Sequence, residues 1–156
     1  MRIAVVLSLA AALLAGILLA WFLAAARLAR KPAELGVRDG RLAACPTTPN
    51  CVSTRSADPS RRMDPLPYAG SRDAARSRLL AAIRALPRAT VETVEDEYVH
   101  VVFRSAFFRF PDDVEFQLDD ETKTIHFRSA SRVGRYDFQV NRRRMERIGT
   151  EVRSKE

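Results

Sequence analysis

The hydrophobic pattern changes period along this chain, and each change marks an element. From Ile3 to Ala26 the run is continuously apolar, with Ser8 its one mildly polar member, and Arg27, Arg30 and Lys31 close it. At about 1.5 Å per residue, twenty-odd helical residues cross a hydrocarbon core of about 30 Å, which predicts a transmembrane helix. Trp21 and Phe22 near its end suit an interfacial aromatic belt. A cleaved signal peptide is the rival, because Ala24-Ala25-Ala26 offers a small-x-small cleavage site and Arg2 a minimal charged start. The length of the apolar run favours the anchor.

Further on, the period becomes helical and then twofold. Ser71 is a good N-cap with Asp73 in the first turn; Ala75, Leu79, Ala82, Ile83 and Leu86 form one stripe, and Pro87 stops the helix. Strands are expected at 90–94 and 98–103, where β-branched and aromatic residues flank Glu95-Asp96-Glu97. Two more are expected at 114–118 and 125–128, joined as a hairpin through Asp119 to Thr122. Centring that link on Asp120-Glu121 sets Phe116 opposite Ile125 and Val114 opposite Phe127 on the buried side. Glu115 then faces His126, and Asp113 faces Arg128, on the other side.

A last helix is expected from Asp137, since a start at Asn141 would set Arg142, Arg143 and Arg144 in the first turn against the helix dipole. Phe138, Asn141, Met145, Ile148 and Val152 then share one face. Asn141 is its lone polar member and needs buried hydrogen-bond partners, for which the loop Ser129 to Gly134 is the nearest supply. The elements together predict an α+β protein: an N-terminal transmembrane helix, then one small domain with an antiparallel sheet of about four strands packed by two helices. The organisation expected is an anchor with its basic flank (1–31), a tether (32–44) and a single domain (45–156).

The formal charge of +7 suggests a polyanion binder until it is divided along the chain. Arg2, Arg27, Arg30 and Lys31 supply +4, and residues 32–156 hold 22 basic against 19 acidic side chains, or +3. The basicity is largely membrane-flanking, and the run Asn141 to Arg147 has no interleaved stacking aromatics, so nucleic acid is disfavoured as a partner. The two cysteines, Cys45 and Cys51, bound a short loop with two prolines and are a disulfide candidate in an oxidising compartment. A reduced pair is the alternative, and a metal site lacks further ligands, because His100 and His126 are the only histidines. Sidedness is contested: basic residues after the apolar run favour a cytoplasmic domain, whereas the cysteine pair favours the outside.

Candidate chemistry gathers where Asp112, Asp113, Glu115, Arg128, Ser129, Ser131 and Arg132 approach Asn141, Arg142 and Arg144. Such a cluster would bind a small polar ligand or pin the loop. Cys45-Pro46-x-x-Pro49-Asn50-Cys51-Val52-Ser53, Asp112-Asp113-Val114-Glu115-Phe116, Arg128-Ser129-Ala130-Ser131-Arg132-Val133-Gly134, and Asp137 with Asn141-Arg142-x-Arg144 closely resemble, in that order, domain-of-unknown-function family 1499 of bacteria and plastids. The resemblance implies an exported or membrane-anchored protein and carries no reaction, substrate or cofactor with it. The chain departs from the family pattern at Gln139, where glycine is usual, and at Thr54, where serine is usual.

The expected function is a non-enzymatic binding or accessory module of the bacterial cell envelope. It would be single-pass in the cytoplasmic membrane, with its domain outside and no cofactor or metal. Its partners would be the lipid bilayer through residues 3–26 and an envelope protein or small polar ligand. The alternative is a hydrolase-like enzyme that uses Asp112, Asp113 or Glu115 as acid or base, with Arg128 and Arg132 holding an anionic substrate. Ser129 and Ser131 have only His100 and His126 as imidazole candidates, and a chance Ser near a His is far commoner than a catalytic one.

Overall fold

The computed structural model describes residues 2–154. Helix α1 (Arg2–Leu28) is long and apolar enough to cross a membrane. Most of its surface is open, and its last turns meet the domain, where Phe22 packs on Phe108 and Phe110 with ring centroids 4.9 and 6.1 Å away. The stretch 32–44, expected as a tether, carries a hairpin of β1 (Val37–Arg38) and β2 (Arg41–Leu42). Its turn is Asp39-Gly40, both at positive φ, the combination that two-residue hairpins favour.

The domain continues with β3 (Cys51–Ser53), β4 (Leu66–Pro67), α2 (Arg72–Arg84), β5 (Ala89–Val94), β6 (Tyr98–Arg104), β7 (Pro111–Asp119), β8 (Thr124–Ser131) and α3 (Val140–Arg153). The main sheet runs β3-β8-β7-β6-β5, with β4 on the other end of β8, and every strand pair in it is antiparallel. The α+β class and the two packing helices are as expected, and the sheet has six strands rather than about four. The additions, β3 and β4, lie in the proline-rich stretch, and Pro67 is tolerated because β4 is an edge strand.

One sheet face makes the core. Val99, Val101 and Phe103 of β6, Val114, Phe116 and Leu118 of β7, and Ile125 and Phe127 of β8 pack under Leu79 and Ile83 of α2 and Met145, Ile148 and Val152 of α3. Each such side chain stabilises the fold by about 1.5–3 kcal/mol through burial. The α2 stripe is the one expected, and Ser71 caps it by accepting from the Ala74 amide at 3.2 Å. Gly149 lets α3 lie close against β4, since a Cβ there would sit 2.9 Å from Leu66 Cδ2.

Two expectations are corrected. In the β7–β8 hairpin, Phe116 faces Phe127, Val114 faces Ser129, Glu115 faces Arg128 and Asp113 faces Ala130. The slip is two residues, because Asp119 pairs with Thr124 and Lys123 takes the left-handed turn position. An even slip keeps each side chain on its face while changing its partner.

Helix α3, for its part, starts at Val140 rather than Asp137. Phe138 and Gln139 both have left-handed backbone, with φ of 53° and 65°. The Asp137 carboxylate reaches past them and accepts from the amides of Gln139 (3.1 Å) and Asn141 (2.9 Å). Phe138 thereby leaves the apolar face and is 85% exposed. The conformation at Gln139 is one that glycine adopts without strain, which is why glycine suits this position.

Candidate functional site

Strand alternation divides the predicted polar cluster between the two faces of the sheet. Asp112 and Asp113 are neighbours in β7 and project to opposite sides.

On the side away from the helices lie Tyr98 and His100 of β6, Asp113, Glu115 and Gln117 of β7, and Arg128 of β8. Arg132, just past β8, joins them through a two-pronged grip on Asp113, with Nε to Oδ2 at 2.8 Å and Nη2 to Oδ1 at 2.7 Å. His100 Nε2 is 2.8 Å from Asp113 Oδ1. Burial alone would raise the Asp113 pKa, but the hydrogen bonds from Arg132 and then His100 outweigh it and hold the carboxyl below its ordinary value.

Glu115 accepts from Arg128 Nη1 at 2.9 Å, from Tyr98 Oη at 3.0 Å and from the Gly36 amide at 2.8 Å. Burial, then the Glu115 charge, push the Tyr98 phenol well above its usual pKa. Gln117 donates to the Gly40 carbonyl at 3.0 Å, so the β1–β2 hairpin is strapped across this polar layer through backbone groups.

On the helix side, Asn141 finds its partners. Its Oδ1 accepts from Ser129 Oγ and Arg144 Nη1, both at 2.6 Å, and its Nδ2 donates to the Asn50 carbonyl at 3.0 Å and to Ser131 Oγ at 3.1 Å. Arg144 also pairs with Asp112 and lies over the Phe103 ring, 4.8 Å from its centroid. Asn50 sits in the loop closed by the Cys45–Cys51 disulfide and donates to the Gly134 carbonyl at 2.7 Å. Ser129 and Ser131 belong to β8 itself, so the expected loop begins only at Arg132. Arg142 does not join the cluster; it donates to the Ser60 carbonyl at 2.7 Å.

Tyr98, His100 and Asn50 are the residues missed from this arrangement. Their signal was available in part: Tyr98 and His100 are two apart in a strand beside the acidic one, so alternation sends both to the side of Asp113 and Glu115.

The three carboxylates Asp112, Asp113 and Glu115 are all buried, and each is held by an arginine. Ser129 and His126 lie on opposite faces of β8 and cannot act together. Among the described residues there is no group of three metal-ligating side chains. Chemically, the arrangement can lock motifs that are distant in sequence into one piece; a substrate would have to break an ion pair to enter it.

The family DUF1499, described as protein of unknown function, matches residues 41–152. That span holds both polar layers and all four motifs. No curated protein matches the chain.

Proposed function

The chain belongs to DUF1499, a family that hands down no reaction, and from that premise we propose that it is a non-enzymatic binding or accessory module of the bacterial cell envelope. It is anchored in the cytoplasmic membrane by α1, with the domain on the extracytoplasmic side.

The observation that carries this reading is the saturation of the carboxylates. Asp113 and Glu115 are 1% and 0% exposed and closed in by arginines, a tyrosine and the hairpin strap. A general acid or base must come within hydrogen-bond reach of its substrate, and these two do not reach solvent. This counts against the hydrolase-like alternative and moves the search for function to the outer surface. The sidedness rests on the Cys45–Cys51 disulfide, a bond that persists in oxidising compartments. It is weighed above the basic residues that follow α1.

Alkaline extraction of membranes, together with a membrane-impermeant thiol label on intact spheroplasts, tests both parts. The chain is expected to stay in the membrane pellet, and the cysteines to be labelled on intact spheroplasts only after reduction. Release into the supernatant, or thiols that react without reductant and only after lysis, would overturn the proposal.

A further inference from the structure

We propose that the end of the domain facing α1 binds an anionic phospholipid, its head-group phosphate in an arginine-lined cavity and an acyl chain in the apolar groove beside it. This rests on reading α1 as a membrane anchor.

The cavity has a volume of about 390 Å³, and its walls include Arg88, Arg104, Arg143, Arg144 and Arg147 against a single carboxylate, Asp112. Asp112 is already taken by Arg144. Among the described residues, none of the other four arginines has a carboxylate partner. What three of them do hold is backbone: Arg88 Nε donates to the Arg104 carbonyl at 3.2 Å, Arg104 Nη1 to the Arg109 carbonyl at 3.5 Å, and Arg143 Nη2 to the Phe138 carbonyl at 2.7 Å. Arginines without a carboxylate also stand elsewhere on the domain, Arg55, Arg62, Arg78 and Arg142 among them, but here four of them are gathered around one hollow. Planar guanidinium groups match phosphate oxygens in both charge and hydrogen-bond geometry.

The second half is apolar. A groove of about 410 Å³ runs between Trp21, Phe22 and Ala25 of α1 and Phe110, Tyr136 and Phe138 of the domain. Ser105, Asp112 and Val140 line both hollows, so the groove and the cavity adjoin. Tyr136 and Phe138 are 66% and 85% exposed. Aromatic side chains left open in this way suit a membrane interface, where an apolar ring and a polar edge are both accommodated.

The length of α1 sets the depth. Its 27 residues span about 40 Å, roughly 10 Å more than the hydrocarbon core, so about two turns extend into the head-group layer. Those two turns are the ones that begin near Trp21 and wall the groove. A free phosphate would account for the arginines and leave the groove without purpose. A lipid beside α1 uses both halves.

The test uses the full chain in detergent micelles, titrated with phosphatidylglycerol or phosphatidylcholine, with bound lipid counted by native mass spectrometry. Phosphatidylglycerol is expected to bind about tenfold more tightly or better, a preference of the size that a charge-assisted contact supplies. Arg143→Gln with Arg147→Gln should abolish the preference; both side chains are exposed and outside every ion pair, and the bond lost, from Arg143 to the Phe138 carbonyl, lies at the surface, away from the core. Phe138→Ser should weaken both lipids alike.

Equal binding of the two lipids, or a preference that survives the arginine changes, would overturn the proposal. So would inorganic phosphate that binds as tightly as the lipid and displaces it, which would mark a site for a free anion. Alkaline extraction of the same variants separates the readings. Lost lipid preference with the chain still in the pellet fails this proposal alone, whereas release from the pellet fails the anchor.

Discussion

The two faces of the sheet are built from alternating residues of the same strands and meet burial in opposite ways. On one, α2 and α3 supply apolar side chains, and the strands answer with Val99, Val101, Val114, Phe116, Leu118, Ile125 and Phe127. Polar groups appear there only at the margin, where Asn141 gathers Ser129, Ser131, Asn50 and Arg144. On the other, the cover over Glu115 and Gln117 is a short hairpin that offers an amide and a carbonyl, and the strands answer with Tyr98, His100, Asp113, Glu115, Gln117 and Arg128. The cover determines the chemistry beneath it: a helix pair buries hydrocarbon, whereas a thin strap can close only a layer whose charges already satisfy one another.

The strongest challenge to this contrast is Glu115→Ala. It leaves Arg128 buried without its carboxylate and removes the acceptor of Tyr98 and of the Gly36 amide. A loss of about 3–5 kcal/mol is expected in urea unfolding, the range for breaking a buried ion pair from one side. Asn141→Ala, its counterpart on the helix side, should cost about 1–3 kcal/mol, because its neutral partners Ser129, Ser131 and the Asn50 carbonyl are left unpaired while Arg144 keeps Asp112. The reverse order would mean that water reaches the strapped face.

The next effect concerns pH. Asp113 has a lowered pKa in the folded chain, so its stabilisation is complete above about pH 4 and is lost as the pH falls toward the folded value. His126, on the same face, is lowered by burial and then by the Arg55 charge. The unfolded chain therefore takes up that proton first, and stability declines as the pH drops through about 6.5. Unfolding followed across pH should show a flatter acid limb in Asp113→Asn and a flatter shallow limb in His126→Gln. Ser129→Ala, on the helix side, should keep both limbs.

The smallest effect sharpens the contrast within one face. Gln117 makes one hydrogen bond to the strap and leaves its buried Oε1 without a partner. Gln117→Met removes a bond and a penalty together, and is expected to stay within about 0.5 kcal/mol of the parent in the same urea measurement.

Much of this contrast was legible from alternation and helical period. The stripe of α2, the buried side of the central hairpin and the need of Asn141 for partners all follow from local spacing. What was not legible depended on backbone conformation. The two-residue slip arises because Lys123 accepts a left-handed turn, which an alternating pattern does not report, and it exchanged His126 for Arg128 as the partner of Glu115.

The late start of α3 has the same origin, in Phe138 and Gln139. β3 and β4 were hidden by prolines that an edge position makes harmless. The division of Asp112 from Asp113 could have been read from their adjacency alone. The strap could not, since Glu115 meets the Gly36 amide across 79 positions of sequence.

The contact of α1 with Phe108 and Phe110 gives proteolysis a particular meaning for this molecule. A cut after Ala26 would leave the disulfide, the strap and both polar layers in place while removing Trp21, Phe22 and Ala25, one wall of the apolar groove. Release from the membrane and loss of grip on an amphiphilic ligand would then be a single irreversible event, because the helix that holds the protein down is also part of what the protein holds with.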